Sequence, residues 1–231
     1  MVPRAADMVA PADVVFLLDV DNTLLDNDQI VADLGNYLQR EFGIEGRKRY
    51  WAIFEALRAE LGYADYLGAL QRYRLDDQHD PRLLLMSSFL VDYAFDERLY
   101  PGAREAIEHL RHWGQPVILS DGDAVFQPRK VQRAGLWAAV QGHVLIYVHK
   151  ERMLDEVAQR YPARRYVMVD DKLRILAAMK AVWGERLTTV FVRQGHYALD
   201  STALANYAPA DVAIESIADL TKYDIDALLA P

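Results

Sequence analysis

The stretch Val14-Val15-Phe16-Leu17-Leu18-Asp19-Val20-Asp21-Asn22-Thr23-Leu24-Leu25-Asp26 decides how the rest of the chain is read. Five consecutive apolar residues, Val14 to Leu18, run straight into two aspartates two positions apart. An apolar run of that length predicts a strand buried on both faces, as in a parallel sheet. Asp19 and Asp21 then stand at its C-terminal tip, where open α/β sheets hold their ligands. Carboxylates that close repel one another unless a cation or a proton lies between them. The plainer alternative is an ordinary strand-end turn, because Asp and Asn favour turns.

Outward from this stretch, the pattern recurs after residue 98. Tyr100-Pro101-Gly102 is a turn, and Ala103–Trp113 reads as a helix ended by Gly114. Short strands follow at Pro116–Leu119, Val144–Val148, Tyr166–Val169 and Thr188–Val192, with a small edge strand at Val212–Ile214. Helices of about ten residues separate them, around Pro128–Ala134, Glu151–Tyr161 and Leu173–Trp183. This alternation predicts an α/β fold with a doubly wound parallel sheet, Rossmann-like in form. Residues 27–97 carry no convincing strand. Ile30, Leu34, Tyr37 and Leu38 predict an amphipathic helix ending near Gly43, and Tyr50, Phe54, Leu57 and Leu61 a second, stopped at Gly62. A third covers Ala64–Tyr73, and Asp80-Pro81 starts a fourth over Leu83–Tyr93. So long a helical block is more than a crossover needs. The expected organisation is a core of residues 1–26 and 98–231 with an inserted helical subdomain at 27–97.

Composition narrows the function. The 231 residues are 52% hydrophobic and 26% charged, enough for a sizeable core. A net charge of −8 with no basic block argues against a nucleic-acid partner. The absence of cysteine excludes disulfides, zinc–thiolate sites and thiol catalysis. Residues 1–12 do not read as a signal peptide, and no segment approaches the ~18 apolar residues of a membrane span. A cytoplasmic protein with no membrane partner is expected.

Chemistry collects at the strand tips. The first strand delivers Asp19 and Asp21, the second Ser120 followed by Asp121 and Gly122, the third Lys150, and the fourth Asp170 and Asp171. In a parallel sheet these tips share one edge and one crevice. Clustered carboxylates call for a cation, and all-oxygen ligation suits Mg²⁺. A carboxylate, a metal, a lysine and a hydroxyl are the parts needed to bind a phosphoryl group and attack it.

With these residues in this order, the sequence resembles the haloacid dehalogenase-like (HAD) hydrolase superfamily. Asp19-Val20-Asp21-Asn22-Thr23 matches that family's first motif, Ser120 the second, Lys150 the third and Asp170-Asp171 the fourth. Leu99-Tyr100-Pro101-Gly102 is also similar to the family. The resemblance implies that Asp19 is the nucleophile, forming an aspartyl-phosphate, and that Asp21 is the general acid and then the base. It further implies that Mg²⁺ is bound by the carboxylates of Asp19 and Asp171 and by the Asp21 backbone carbonyl, with Asp170 a ligand or just behind one. Ser120 and the backbone N–H groups after it, at Asp121 and Gly122, would hold phosphoryl oxygens, and Lys150 would neutralise charge. Residues 27–97 would be the family's cap. Asn22 stands where the family most often has glycine, and Ile175 where many members carry an acid.

Asp21 separates the family's reactions. A halide leaves without a proton, whereas an alkoxide leaving phosphorus needs one, so an acid at this position favours phosphoryl transfer. The expected function is a Mg²⁺-dependent hydrolase of a small phosphorylated metabolite. The alternatives are a dehalogenase-type hydrolase, or a phosphate-binding protein without turnover. Arg47-Lys48-Arg49 reads as a solvated helix face, Tyr50, Trp51 and Phe54 as subdomain core, His149 as structural, and Arg193-Gln194-Gly195-His196 as a surface loop.

Overall fold

The computed structural model describes residues 12–76, 78–200 and 204–229. Most of the expected lead-in before the first strand lies outside them, but Ala12 and Asp13 already belong to β1 (Ala12–Leu18). The other strands are β2 (Gln115–Asp121), β3 (Val144–Tyr147), β4 (Ala163–Asp170), β5 (Leu187–Val192) and β6 (Val212–Ile214). All pairings are parallel, in the order β3-β2-β1-β4-β5-β6. The doubly wound sheet is thus confirmed, with β1 at its centre.

Alternation along β1 explains its unbroken apolar run. Val14, Phe16 and Leu18 face one layer, where Val167 and Val169 of β4 join them. Val15 and Leu17 face the other, with Tyr166 and Met168 of β4. Both faces are buried under apolar side chains, which is why the run is continuous rather than alternating. The first layer is covered by α4 (Ala103–Arg111), α5 (Phe126–Arg133) and the helical block, and the second by α6 (Leu154–Arg160) and α7 (Leu173–Trp183).

The helical block comprises α1 (Asn27–Leu61), α2 (Tyr66–Arg74) and α3 (Arg82–Asp92). Two separate helices were expected over the span of α1. The chain does break at Gly43, whose φ of 74° and ψ of 178° interrupt the helix, but helical geometry resumes at once with no intervening loop. Gly62, at φ 81°, ends α1 as expected, and Asp65 caps α2 through Gly68 N–H. The block is entered and left at one place. Asp26 N–H donates to Arg98 O at 2.8 Å and Tyr100 N–H to Leu24 O at 3.0 Å, so the two connections run antiparallel as a short stem. No described helix is long and apolar enough to cross a membrane.

Candidate active site

Register brings the strand tips level. Leu18 pairs with Val169, and Asp19 N–H donates to Val169 O at 3.0 Å, so Asp19 sits beside Asp170. After β1 the backbone coils tightly, with the N–H groups of Thr23, Leu24 and Leu25 all directed at Val20 O. Asn22 takes a φ of 62° in this coil. That left-handed geometry is why glycine is usual there and why asparagine is tolerated. The Asn22 side chain also fastens the coil to α1, accepting from the N–H groups of Asn27 at 3.0 Å and Asp28 at 3.2 Å. Asp28 in turn accepts from His196, from its N–H at 2.8 Å and at its Nδ1 at 2.6 Å.

Asp19, Asp170 and Asp171 are buried and offer carboxylate oxygens within 4.8 Å of one another. Lys150, also buried, places Nζ 2.5 Å from Asp19 Oδ1 and 2.7 Å from Asp170 Oδ2. Burial opposes its charge, but Asp170, Asp19 and Asp121 outweigh that and hold the ammonium above the ordinary lysine range. Asp19 Oδ2 accepts from Thr23 Oγ1 at 3.2 Å, and Asp170 Oδ1 from Lys172 N–H at 2.9 Å. Asp171 differs. Both of its oxygens are buried without a hydrogen bond, and Lys172 Nζ approaches Oδ1 only to 3.7 Å. Burial, with Asp170 and Asp19 nearby, pushes its carboxyl up to about 8, against the pull of Lys172 and Lys150.

Asp19, Asp121, Asp170 and Asp171 interact with two lysines, Lys150 and Lys172, which leaves two negative charges unbalanced when all four are ionised. Unpaired buried carboxylate oxygens are costly, and a hard divalent cation satisfies this donor set in charge and chemistry.

Asp21 lies outside that cluster. Its carboxylate, with the side chain 26% exposed, turns to α5: Oδ1 accepts from Lys130 Nζ at 2.7 Å and Oδ2 from Gln127 Nε2 at 3.3 Å. Gln127 also donates to Ser120 Oγ at 3.0 Å. Sequence reasoning missed both α5 residues. Asp121 accepts from Lys150 N–H at 2.7 Å, and burial raises its pKa despite Lys150.

Gly122 requires a correction. Its N–H, expected to serve a phosphoryl oxygen, instead extends the sheet to Tyr147 O at 2.8 Å. The position needs glycine for space, since a Cβ there would lie 2.6 Å from Gln127 Cβ.

A cleft of 1010 Å³ opens between the helical block and the strand tips, lined by Asp21, Gln127 and Lys172 from the core and by Arg47, Trp51 and Arg58 from α1. Tyr50 is buried as subdomain core, whereas Trp51 and the buried Phe54 both line the cleft. Within the basic run, Lys48 pairs with Glu45 on the surface and Arg49 stacks on Tyr73, but Arg47 joins the cleft wall. His149 lies against Gly62 and lines the same wall. The expected surface loop is partly a site element: Gln194 is buried and accepts from Ile217 N–H, while His196 and Tyr197 face the cleft. Arg58 crosses it, donating to Tyr197 Oη at 2.6 Å.

The haloacid dehalogenase-like hydrolase model matches residues 14–182. The chain belongs to this hydrolase family. Within the family it is similar to a Burkholderia xenovorans LB400 protein provisionally classed as a haloacid dehalogenase-like hydrolase, with 64% identity, a TM-score of 0.89, and coverage of 95% of this chain and 100% of that one. The fold is shared with L-2-haloacid dehalogenase from Xanthobacter autotrophicus bearing covalently bound chloropropionic acid, at 17% identity, TM-score 0.58 and coverage of 90% and 96%. It is shared too with YfnB of Bacillus subtilis, a protein provisionally classed as a HAD-hydrolase and bound to magnesium, at 15% identity, TM-score 0.59 and coverage of 95% and 99%. No curated protein matches the chain.

Proposed function

We propose that this hydrolase cleaves a small phosphomonoester with Mg²⁺ as its cofactor. The observation that carries this reading is Asp21, a second carboxylate at the cleft wall two residues after the buried Asp19. Asp19 attacks phosphorus, and the bond to the ester oxygen breaks as Asp21 gives that oxygen its proton. Water, deprotonated by Asp21, then splits the aspartyl-phosphate, releasing phosphate and restoring Asp19. Lys150 fixes the orientation of Asp19 and offsets charge gathering on the phosphoryl oxygens.

Asp19 and Asp171 would hold the metal, with the Asp21 carbonyl beside them. Asp170, engaged by Lys150 and by Lys172 N–H, acts through those contacts. When bound, the cation supplies electrophilic stabilisation of the phosphoryl group. The helical block serves as a cap that excludes water and selects the substrate.

The test is phosphate release from 4-nitrophenyl phosphate and a panel of phosphorylated metabolites, with and without Mg²⁺. We expect Mg²⁺-dependent release that Asp19→Asn abolishes. Undiminished release by that variant, or none by the parent, refutes the reading. Chloride release from 2-chloropropionate would assign the site to dehalogenation instead.

A further inference from the structure

Lys130 is not at a strand tip and matches none of the family motifs. It lies on α5 with only 1% of its side chain exposed, its Nζ 2.7 Å from Asp21 Oδ1 and 3.1 Å from Asn27 Oδ1. Its ammonium also stands 5.3 Å from the centroid of the Phe126 ring. Gln127 precedes it by three residues, on the same helix face, and is itself buried. Between them the two side chains give one donor to each oxygen of Asp21.

A purely structural role accounts poorly for this residue. Desolvating an ammonium is costly, and an ion pair with a partly exposed carboxylate seldom offsets that by itself. A methionine of similar length would pack on Phe126 without the penalty. What the lysine adds is direction. A lone aspartate at a cleft wall samples several rotamers, whereas one held at both oxygens keeps a single orientation. Gln127 makes the same statement about Ser120, because its one amide nitrogen ties Ser120 Oγ and Asp21 together.

We propose that Lys130 is a positioning residue which, with Gln127, clamps the Asp21 carboxylate in the orientation required for proton exchange with the leaving group. The catalytic consequence rests on the proposed function; the clamp itself does not. Through Asn27, the first residue of α1, the same lysine is anchored at the root of the helical block.

The experiment compares Lys130→Met with the parent on two substrates, 4-nitrophenyl phosphate and glycerol phosphate, and determines the crystal structure of the variant. Nitrophenolate departs with little help from an acid, whereas an alkoxide depends on it. We therefore expect kcat/KM, which reports the step that expels the leaving group, to fall about tenfold or more further on the alkyl ester than on the aryl ester. In the crystal, Asp21 should leave its place or occupy several. Equal losses on both substrates, or an unmoved Asp21, overturn the proposal. If Lys130→Met does not fold, Gln127→Met is put through the same comparison with the same criteria. If the parent hydrolyses neither ester, the position of Asp21 in the variant crystal alone decides the clamp, and the metabolite panel decides the proposed function.

Discussion

Asp171→Asn should make the metal-free protein more stable while removing its response to Mg²⁺. Folding raises the Asp171 carboxyl from the ordinary 3.8 to about 8, chiefly by burial. In the unfolded chain the group is ionised above about pH 4, so between that pH and about 8 the native state holds a proton that the unfolded state lacks. Stability of the metal-free protein therefore falls as pH rises through this window, at about 1.4 kcal/mol per pH unit for one proton. At pH 7 the accumulated cost approaches about 4 kcal/mol. An asparagine never ionises but still buries an amide with imperfect partners, a penalty of about 1–3 kcal/mol. The net gain is about 2 kcal/mol, or roughly 4–8 °C in Tm for a chain of this size. The assay is thermal and urea unfolding at pH 7 in EDTA and again in Mg²⁺. A variant less stable than the parent in EDTA would refute the electrostatic reasoning. So would a variant that Mg²⁺ stabilises as much as it stabilises the parent.

The same proton should link the proposed Mg²⁺ binding to pH: below about 8 the cation would have to displace it from Asp171, so apparent affinity should rise about tenfold per pH unit and flatten above that value. Titration calorimetry between pH 6 and 7.5 checks this, and a flat profile would contradict it. Lys150→Met strands Asp19 and Asp170, both buried, and should cost about 3–5 kcal/mol in urea unfolding with EDTA; a loss below about 1 kcal/mol would show that the ammonium does not hold the cluster together. Gly195→Ala meets two obstacles, a φ of 71° and a Cβ 2.5 Å from the Asn22 side chain. It should lower stability by about 2 kcal/mol or more and loosen the His196–Asp28 contact, which unfolding curves alongside His196 NMR shifts would register.

Legibility in the sequence followed the strands. The first four apolar runs lead into the candidate site residues, and parallel pairing with β1 at the centre carries Asp19, Ser120, Lys150 and Asp170 to one edge. What escaped was carried by a helix. The helix was expected around Pro128–Ala134, whereas α5 begins at Phe126, just after a turn in which Asp123 Oδ1 accepts from the N–H groups of Val125 and Phe126. Even a correct start would have left Gln127 and Lys130 reading as a polar surface, because charge on a short helix is ordinarily solvated. Their burial arises from tertiary packing of α5 beneath Asp21 and Asn27. Gly122 failed for a related reason: its N–H is taken by the neighbouring strand. Gly43 was read correctly as a break, but helical geometry resumes directly after it because the two arms of α1 pack into one apolar layer.

The stem joining Leu24 to Tyr100 and Asp26 to Arg98 has a consequence for how such chains diversify. Because the excursion departs and returns through adjacent hydrogen bonds, the sheet experiences it as a turn. The entropy of closing that turn grows only with the logarithm of its length, by about 0.6 kcal/mol per doubling. Helices there can be lengthened or exchanged without altering strand pairing, provided the apolar side chains that meet the core, such as Tyr66 against Phe126, are kept. One hydrolytic edge is thereby able to acquire new lids.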